Sequence, residues 1–92
     1  MIQLRVLTDA GVALQEEAVS VIAPGERGYV GFLTNHAPLV TTLGEGTLTW
    51  RRQDGATKTA RIKGGLLEIF KNRLTILTDA VDATDPSAPG VR

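Results

Sequence analysis

The chain has 92 residues, with ten basic and ten acidic side chains and no cysteine. This length fits one compact domain, and the lack of cysteine excludes a disulfide framework, a thiolate nucleophile and a zinc site with cysteine ligands. The net charge of zero leaves no basic excess to neutralise phosphates, so nucleic-acid binding is not expected.

Short runs rich in Val, Ile, Leu and Thr alternate with glycine-bearing turns along most of the chain. Apolar residues recur at every second position, as at Ile2, Leu4 and Val6, which is typical of strands with one buried face. In chain order the predicted strands are residues 2–7, 12–23, 29–33, 39–43, 47–52, 57–63, 66–70 and 74–78. The adjacent Glu16 and Glu17 predict a kink or bulge in the second run.

Glycine and proline mark the predicted turns and loops. Residues 34–38 predict a loop, because their proline has no amide hydrogen to donate to a ladder. Asp54-Gly55 is the strongest hairpin signal in the chain, since a type I′ turn requires positive φ angles. The glycine-containing segments 44–46 and 64–65 predict breaks between neighbouring strands.

No segment shows a sustained helical period with capping residues, so we expect very little helix. Many short strands at intervals of about 8–12 residues predict an all-β domain, either a sandwich or a flattened barrel. Residues 83–92 contain prolines and little apolar surface to bury, which predicts a short flexible tail. The sequence predicts no signal peptide and no apolar run of the roughly 18 residues that cross a bilayer.

The sequence shows no pattern of an enzyme or cofactor site. His36 is the only histidine and thus the only imidazole base, but no Gly-x-Ser-x-Gly elbow accompanies it. We interpret it as a structural or interface residue of its loop. The glycines of residues 25–31 are not followed by a helix that would bind a phosphate. Three aspartates near the C-terminus lack the glycine and glutamate of a calcium loop. We therefore expect no catalytic residue, no cofactor and no metal, and we interpret the domain as an interaction module.

Several stretches in a fixed order carry a resemblance to a known family. They are GFLTNHAPLVTTL, GEGTL, KGGLLEI and NRLTILTDA, at residues 31–43, 44–48, 63–69 and 72–80. Together they resemble the N-terminal β-sandwich of the epsilon subunit of F-type ATP synthase, which is called delta in mitochondria. The resemblance implies an all-β fold, a flattened ten-stranded β-sandwich or barrel. It implies a single domain over residues 1–82, with the flexible tail at 83–92.

The resemblance also implies a role. Members of this family are non-catalytic rotor subunits of the central stalk. The sandwich sits at the foot of the gamma subunit, rests on polar loops of the c-ring, and helps couple ion-driven rotation to ATP synthesis. The implied partners are gamma and the c-ring. The implied location is the cytoplasmic face of the bacterial inner membrane, peripheral, with membrane contact only through the complex.

The resemblance assigns two sets of site residues. The c-ring-facing loop is placed at Tyr29, Gly31, Asn35 and His36. The gamma-facing residues are placed at Thr8, Pro38, Leu39, Val40, Thr41, Thr42 and Leu43. The apolar members of the second set either bury area against gamma or belong to the core, and both interpretations stay open for Leu43.

The chain departs from the family pattern at two of these positions. Asn35 stands where the family usually has glycine, but asparagine tolerates the left-handed backbone that such a loop requires. Tyr29 replaces an acidic residue that is common in bacterial relatives, so an ion pair with a basic residue of the c-ring would be lost. A tyrosine offers a hydrogen bond and apolar area in its place.

Most family members continue into a helical hairpin that can inhibit ATP hydrolysis and in some binds ATP. This sequence ends at Arg92, so we expect neither an inhibitory arm nor an ATP site. Two other interpretations remain open. One is a free-standing β-sandwich module that binds protein or carbohydrate through exposed aromatic side chains. The other is a small enzyme centred on His36.

Overall fold

A computed structural model describes residues 1–83, and every regular element in them is a strand. The tail expected at residues 83–92 lies outside the described residues, apart from Ala83, which ends the last strand. The strands are β1 Ile2–Thr8, β2 Gly11–Ala18, β3 Ser20–Gly25, β4 Gly28–Leu33, β5 Leu39–Arg51, β6 Thr57–Phe70, β7 Arg73–Leu77 and β8 Val81–Ala83. The all-β class is thus confirmed. Residues 1–83 contain no helix with the length and hydrophobicity needed to cross a membrane.

Two long strands organise the topology. The strand order is β2-β1-β7-β6-β5-β3-β4, and β8 pairs with β6. β6 pairs with β8 through residues 60–62 and with β7 through residues 66–70, so its two halves have different neighbours. The β1 layer therefore comprises β2, β1, β7, the second half of β6 and the first half of β5. The β3 layer comprises β8, the first half of β6, the second half of β5, β3 and β4.

The ribbon formed by β5 and β6 crosses from one layer to the other without interruption. Leu43 lies opposite Gly65 and Glu45 lies opposite Lys63, so the ladder continues on both sides of the glycines that predicted strand breaks. Those predicted breaks are wrong. The expected count of ten strands is corrected to eight in the described residues, because β5 and β6 each supply a segment to both layers.

Glycine makes this crossing possible at one point in particular. Gly64 and Gly65 have φ angles of 73° and 128°, which side chains other than glycine rarely allow. A Cβ atom at Gly65 would overlap the carbonyl oxygen of Leu77 on the neighbouring strand. The two glycines therefore bend β6 while its hydrogen bonding continues, whereas the sequence pattern suggested that they end it.

The two layers share one core. Its members are buried hydrophobic side chains from both: Ile2, Leu4, Val6, Ala18, Val21, Ala23, Phe32, Leu43, Leu48, Trp50, Ala60, Ile62, Leu67, Ile69, Leu74 and Ile76. Most are aliphatic, and each large side chain contributes about 1.5–3 kcal/mol by leaving water. The indole nitrogen of Trp50 is buried without a hydrogen-bond partner, which offsets part of the gain at that position.

The tight turns are distributed differently from the prediction. The hairpin at residues 51–57 forms, and the Gly55 amide donates to the Arg52 carbonyl oxygen over 3.0 Å. Asp54 does not have the positive φ that a type I′ turn requires, and Gly55 alone does, at 90°. A hairpin turn with two positive φ angles occurs instead at Lys71 and Asn72, at 49° and 63°, between β6 and β7.

The predicted bulge at Glu16 and Glu17 is also wrong. Both residues pair regularly with β1, and the irregular step of that ladder lies between Val6 and Leu7. The run predicted over residues 12–23 is divided at Val19, between β2 and β3. β2 is an edge strand, so neighbouring glutamates reach water on both of its faces without a bulge.

Candidate protein–protein interface

The His36 loop, residues 34–38, follows β4 and is held by backbone hydrogen bonds and by one aromatic contact. The His36 amide donates to the Leu33 carbonyl oxygen over 3.1 Å. The His36 ring lies edge-on to Phe32, with 4.9 Å between ring centroids. Its Nδ1 atom is 2.6 Å from the Ala37 carbonyl oxygen, which only accepts, so Nδ1 carries the hydrogen of this bond. The Nε2 atom has no hydrogen-bond partner among residues 1–83.

Asn35 connects the His36 loop to a distant turn. Its φ angle is 68°, in the left-handed region expected from the sequence for this loop position. The Asn35 amide donates to Oδ1 of Asn72 over 2.6 Å, and Nδ2 of Asn72 donates to Oδ1 of Asn35 over 3.1 Å. The expected loop conformation is therefore compatible with asparagine at this position.

Tyr29 and Gly31 lie on β4, apart from Asn35 and His36. Tyr29 is 60% exposed, and its hydroxyl accepts a hydrogen bond from the Thr47 amide over 3.1 Å. A Cβ atom built at Gly31 meets no atom within 4 Å, so the glycine leaves open space on this face. Tyr29 precedes the end of β4 by four residues, about 13 Å in an extended strand. The four residues assigned to the c-ring thus follow a line along β4 and its loop; they do not form one cluster.

The residues of β5 that the resemblance assigns to gamma alternate between core and surface. Leu43 is 3% exposed and belongs to the core, whereas Val40 is 61% exposed. Leu39 and Thr41 are half-buried, and Pro38 and Thr42 are exposed. Of the two interpretations that the sequence left open for Leu43, the structure therefore favours the core.

Two of the assigned threonines already have hydrogen-bond partners within the chain. Oγ1 of Thr42 donates to a carboxylate oxygen of Glu26 over 2.8 Å, which ties β5 to the β3–β4 turn. Oγ1 of Thr8 accepts from the Ala10 amide over 3.2 Å and closes the β1–β2 turn. Their side chains shape the surface chiefly by fixing these turns.

The structure reveals an apolar stripe that the sequence reasoning missed. Across the outer face of the β1 layer, Val12 lies opposite Leu7, Leu7 opposite Leu77, and Leu77 opposite Leu66. Val40 borders Leu66 and Leu77 in a groove of about 200 Å³ that Glu68 and Thr75 also line. Val12, Val40, Leu66 and Leu77 are 55%, 61%, 40% and 48% exposed. Together with the half-buried Leu7, these residues form what we call the apolar stripe: Leu7, Val12, Val40, Leu66 and Leu77.

The stripe lies between the two separate parts of the set assigned to gamma, which are Thr8 and residues 38–43. Thr8 follows Leu7 directly, and Thr42 lies opposite Leu66. A sequence signal for it exists: Leu66-Leu67 and Ile76-Leu77 place apolar side chains on both faces of their strands, as in strands that are covered on both sides. A row of exposed apolar side chains bordered by polar residues, here Glu68 and Thr75, is typical of a protein–protein contact.

Other proposed chemistries find less support in the described residues. Phe32 and Trp50 are 1% and 4% exposed, so the exposed aromatic rings are Tyr29 on the β3 layer and Phe70 on the β1 layer. They do not form a common platform on which a sugar could stack. The hydrogen bonds of His36 go to backbone carbonyl oxygens of Leu33 and Ala37, not to a hydroxyl or a carboxylate.

The comparisons with known proteins agree on one family. The model of the β-sandwich domain of the ATP synthase delta/epsilon chain matches residues 1–83. The ATP synthase epsilon chain of Moorella thermoacetica is 42% identical over 84 residues, which are 91% of this chain and 63% of the relative. That of Herpetosiphon aurantiacus is 40% identical over 84 residues, 91% of this chain and 61% of the relative. The chain thus spans about three fifths of the length of these relatives.

Two solved structures have the same fold. A chain in the mitochondrial ATP synthase OSCP/F1/c-ring structure of Euglena gracilis matches with a TM-score of 0.84 and 22% identity, over 90% of this chain and 53% of that one. A chain in the central stalk/c-ring structure of the Tetrahymena thermophila mitochondrial enzyme matches with a TM-score of 0.73 and 12% identity. The second match covers 99% of this chain and 73% of the other. At these identities the likeness concerns the fold.

Proposed function

The chain belongs to the delta/epsilon β-sandwich family of ATP synthase subunits, and from this premise we propose that it is a non-catalytic subunit of the central stalk. In this role it links the gamma subunit to the c-ring and helps transmit ion-driven rotation to the catalytic head. It works as a peripheral part of the complex at the cytoplasmic face of the bacterial inner membrane and uses no cofactor of its own.

The apolar stripe is the observation that carries the proposal. It extends over β2, β1, β7 and β6, with Val40 of β5 at its border, and it joins the positions that the family resemblance assigns to gamma. Burying these aliphatic side chains stabilises a complex by about 25 cal/mol for each Å² removed from water, before the entropic cost of association. Gamma covers the stripe in the proposed assembly.

The proposed contact with the c-ring consists of the residues along β4 and its loop: Tyr29, Gly31, Asn35 and His36. The Nε2 atom of His36 and the hydroxyl of Tyr29 are available to polar groups there. The Tyr29 oxygen accepts from the Thr47 amide, so its own hydrogen remains free to be donated. A carboxylate at this position would attract a basic group of the partner. Tyr29 instead donates its hydroxyl hydrogen, so it fits a partner group that accepts a hydrogen bond.

Co-purification with gamma tests the proposal directly. The 92-residue chain is mixed with the gamma subunit from the same organism at micromolar concentration, and the mixture is analysed by gel filtration with light scattering. We expect a stable complex with one copy of each subunit. If both proteins are folded and elute separately, the stalk assignment is wrong.

A further inference from the structure

Asn72 joins three separate parts of the chain. Its side chain exchanges two hydrogen bonds with Asn35, 37 residues away, over 2.6 and 3.1 Å. Its carbonyl oxygen accepts from the Gln3 amide at the start of β1, over 2.7 Å. The β6–β7 turn is therefore attached to β1 through its backbone and to the His36 loop through a side chain.

The turn that carries Asn72 is a tight two-residue connection. Phe70 pairs with Arg73, so only Lys71 and Asn72 lie between β6 and β7. Both have positive φ angles, 49° and 63°, as the central residues of a type I′ hairpin turn do. The hairpin thus sets the backbone of Asn72 and the direction of its Cα–Cβ bond, and the two hydrogen bonds to Asn35 hold its amide group.

The His36 loop has few other restraints. Asn35 is exposed and His36 is half-buried. Within residues 1–83 the other hydrogen bonds and ring contacts of this pair are the bonds to Leu33 and Ala37 and the contact with the Phe32 ring. An exposed hydrogen bond adds little to global stability, because water replaces either partner when it breaks. The Asn35–Asn72 hydrogen bonds therefore act on the local conformation of the loop more than on the global stability of the domain.

We propose that Asn72 is a positioning residue: its side chain holds the His36 loop in the conformation that presents Nε2 of His36 to a docking partner. The identity of that partner as the c-ring rests on the proposed function. The positioning itself does not, because it follows from the two hydrogen bonds and from the tight two-residue β6–β7 turn.

Amide hydrogen exchange, resolved by NMR, measures the positioning in the 92-residue chain alone. Asn72→Gly removes the side chain and keeps a residue that accepts positive φ. Lys71→Gly is the matched control, because it makes the same change at the neighbouring turn position and leaves the Asn35–Asn72 bonds in place. Asn72→Asp is the rescue variant, since its carboxylate still accepts from the Asn35 amide.

We expect the Asn35 amide to exchange about tenfold faster in Asn72→Gly, as for the loss of one hydrogen bond, with core amides unchanged. Lys71→Gly and Asn72→Asp should keep the protection of the original chain. Unchanged exchange of the Asn35 amide in Asn72→Gly would overturn the proposal.

Binding to c-rings purified from the same organism in detergent tests the consequence for docking. Asn72→Gly should weaken binding by roughly tenfold, while Lys71→Gly keeps it and Asn72→Asp restores most of it. Equal affinity of Asn72→Gly and the original chain, despite faster exchange, would also overturn the proposal. If the original chain does not bind c-rings, the docking assignment fails, and the exchange experiment still decides whether Asn72 positions the loop.

Discussion

Leu66 of β6 and Leu77 of β7 lie directly opposite each other on the outer face of the β1 layer, 40% and 48% exposed. Their neighbours Leu67 and Ile76 form the matching pair on the inner face, where both are fully buried. One ladder thus carries two apolar faces. The inner face forms the core, and the outer face is the centre of the proposed contact with gamma.

Leu77→Asp should weaken the complex with gamma by roughly 10–100-fold, because a charged group would be buried in an apolar contact. Ile22→Asp is the matched control: Ile22 is 45% exposed, against 48% for Leu77, but lies on the β3 layer away from the stripe. Titration calorimetry with purified gamma measures both affinities. An equal effect of the two variants would contradict the assignment of the stripe.

Leu43→Ala and Val40→Ala should separate core from interface within a single strand. Leu43 is 3% exposed, so its truncation should lower the free energy of unfolding by about 2–5 kcal/mol. Val40 is 61% exposed, so its truncation should change stability by less than about 1 kcal/mol and should instead weaken gamma binding. Urea denaturation measures the first quantity and calorimetry the second. An unchanged free energy of unfolding in Leu43→Ala would contradict a core role for Leu43.

Gly65→Ala should destabilise the domain by more than about 2 kcal/mol or prevent folding, because its Cβ would overlap the Leu77 carbonyl oxygen at a φ of 128°. Gly44→Ala introduces the same methyl group at the other strand of the ribbon, where the nearest atom is 3.7 Å away. It should fold with nearly unchanged stability. Thermal unfolding followed by circular dichroism compares the two, and similar melting temperatures would argue against the bend at Gly65.

His36→Ala should reduce c-ring binding by roughly tenfold, because one hydrogen-bonding side chain leaves the contact. The fold should persist, since the half-buried ring contributes one contact with Phe32 and a bond to a neighbouring carbonyl oxygen. Binding to detergent-solubilised c-rings and a melting curve provide the two readouts. A loss of more than about 8 °C in melting temperature, with binding unchanged per folded molecule, would favour a purely structural histidine.

Much of the fold could be predicted from local patterns. The period-two alternation at Ile2, Leu4 and Val6 identified a strand and its buried face, and all three side chains are in the core. The proline of residues 34–38 predicted the His36 loop, which lies between β4 and β5. Such features depend on residues within a few positions of one another, so the sequence contains the information.

The turns and bends were harder to predict, because a glycine permits several conformations and the sheet selects among them. Gly64-Gly65 was expected to end a strand, yet the pairing of β6 with β5 on both sides keeps the strand continuous. Positive φ angles were expected at Asp54 and Gly55, but Lys71 and Asn72 form the type I′ pair, without any glycine. At both places the hydrogen bonds of the flanking strands outweigh the local preference.

The sequence by itself determined the strand class, the buried faces and, through its motifs, the family. Only the tertiary structure decided which surface residues act together. The apolar stripe collects side chains from five strands, and the Asn35–Asn72 pair spans 37 residues. Neither can be deduced from local periodicity, because cross-strand neighbours are set by the register of hydrogen bonds between segments that are distant in the chain.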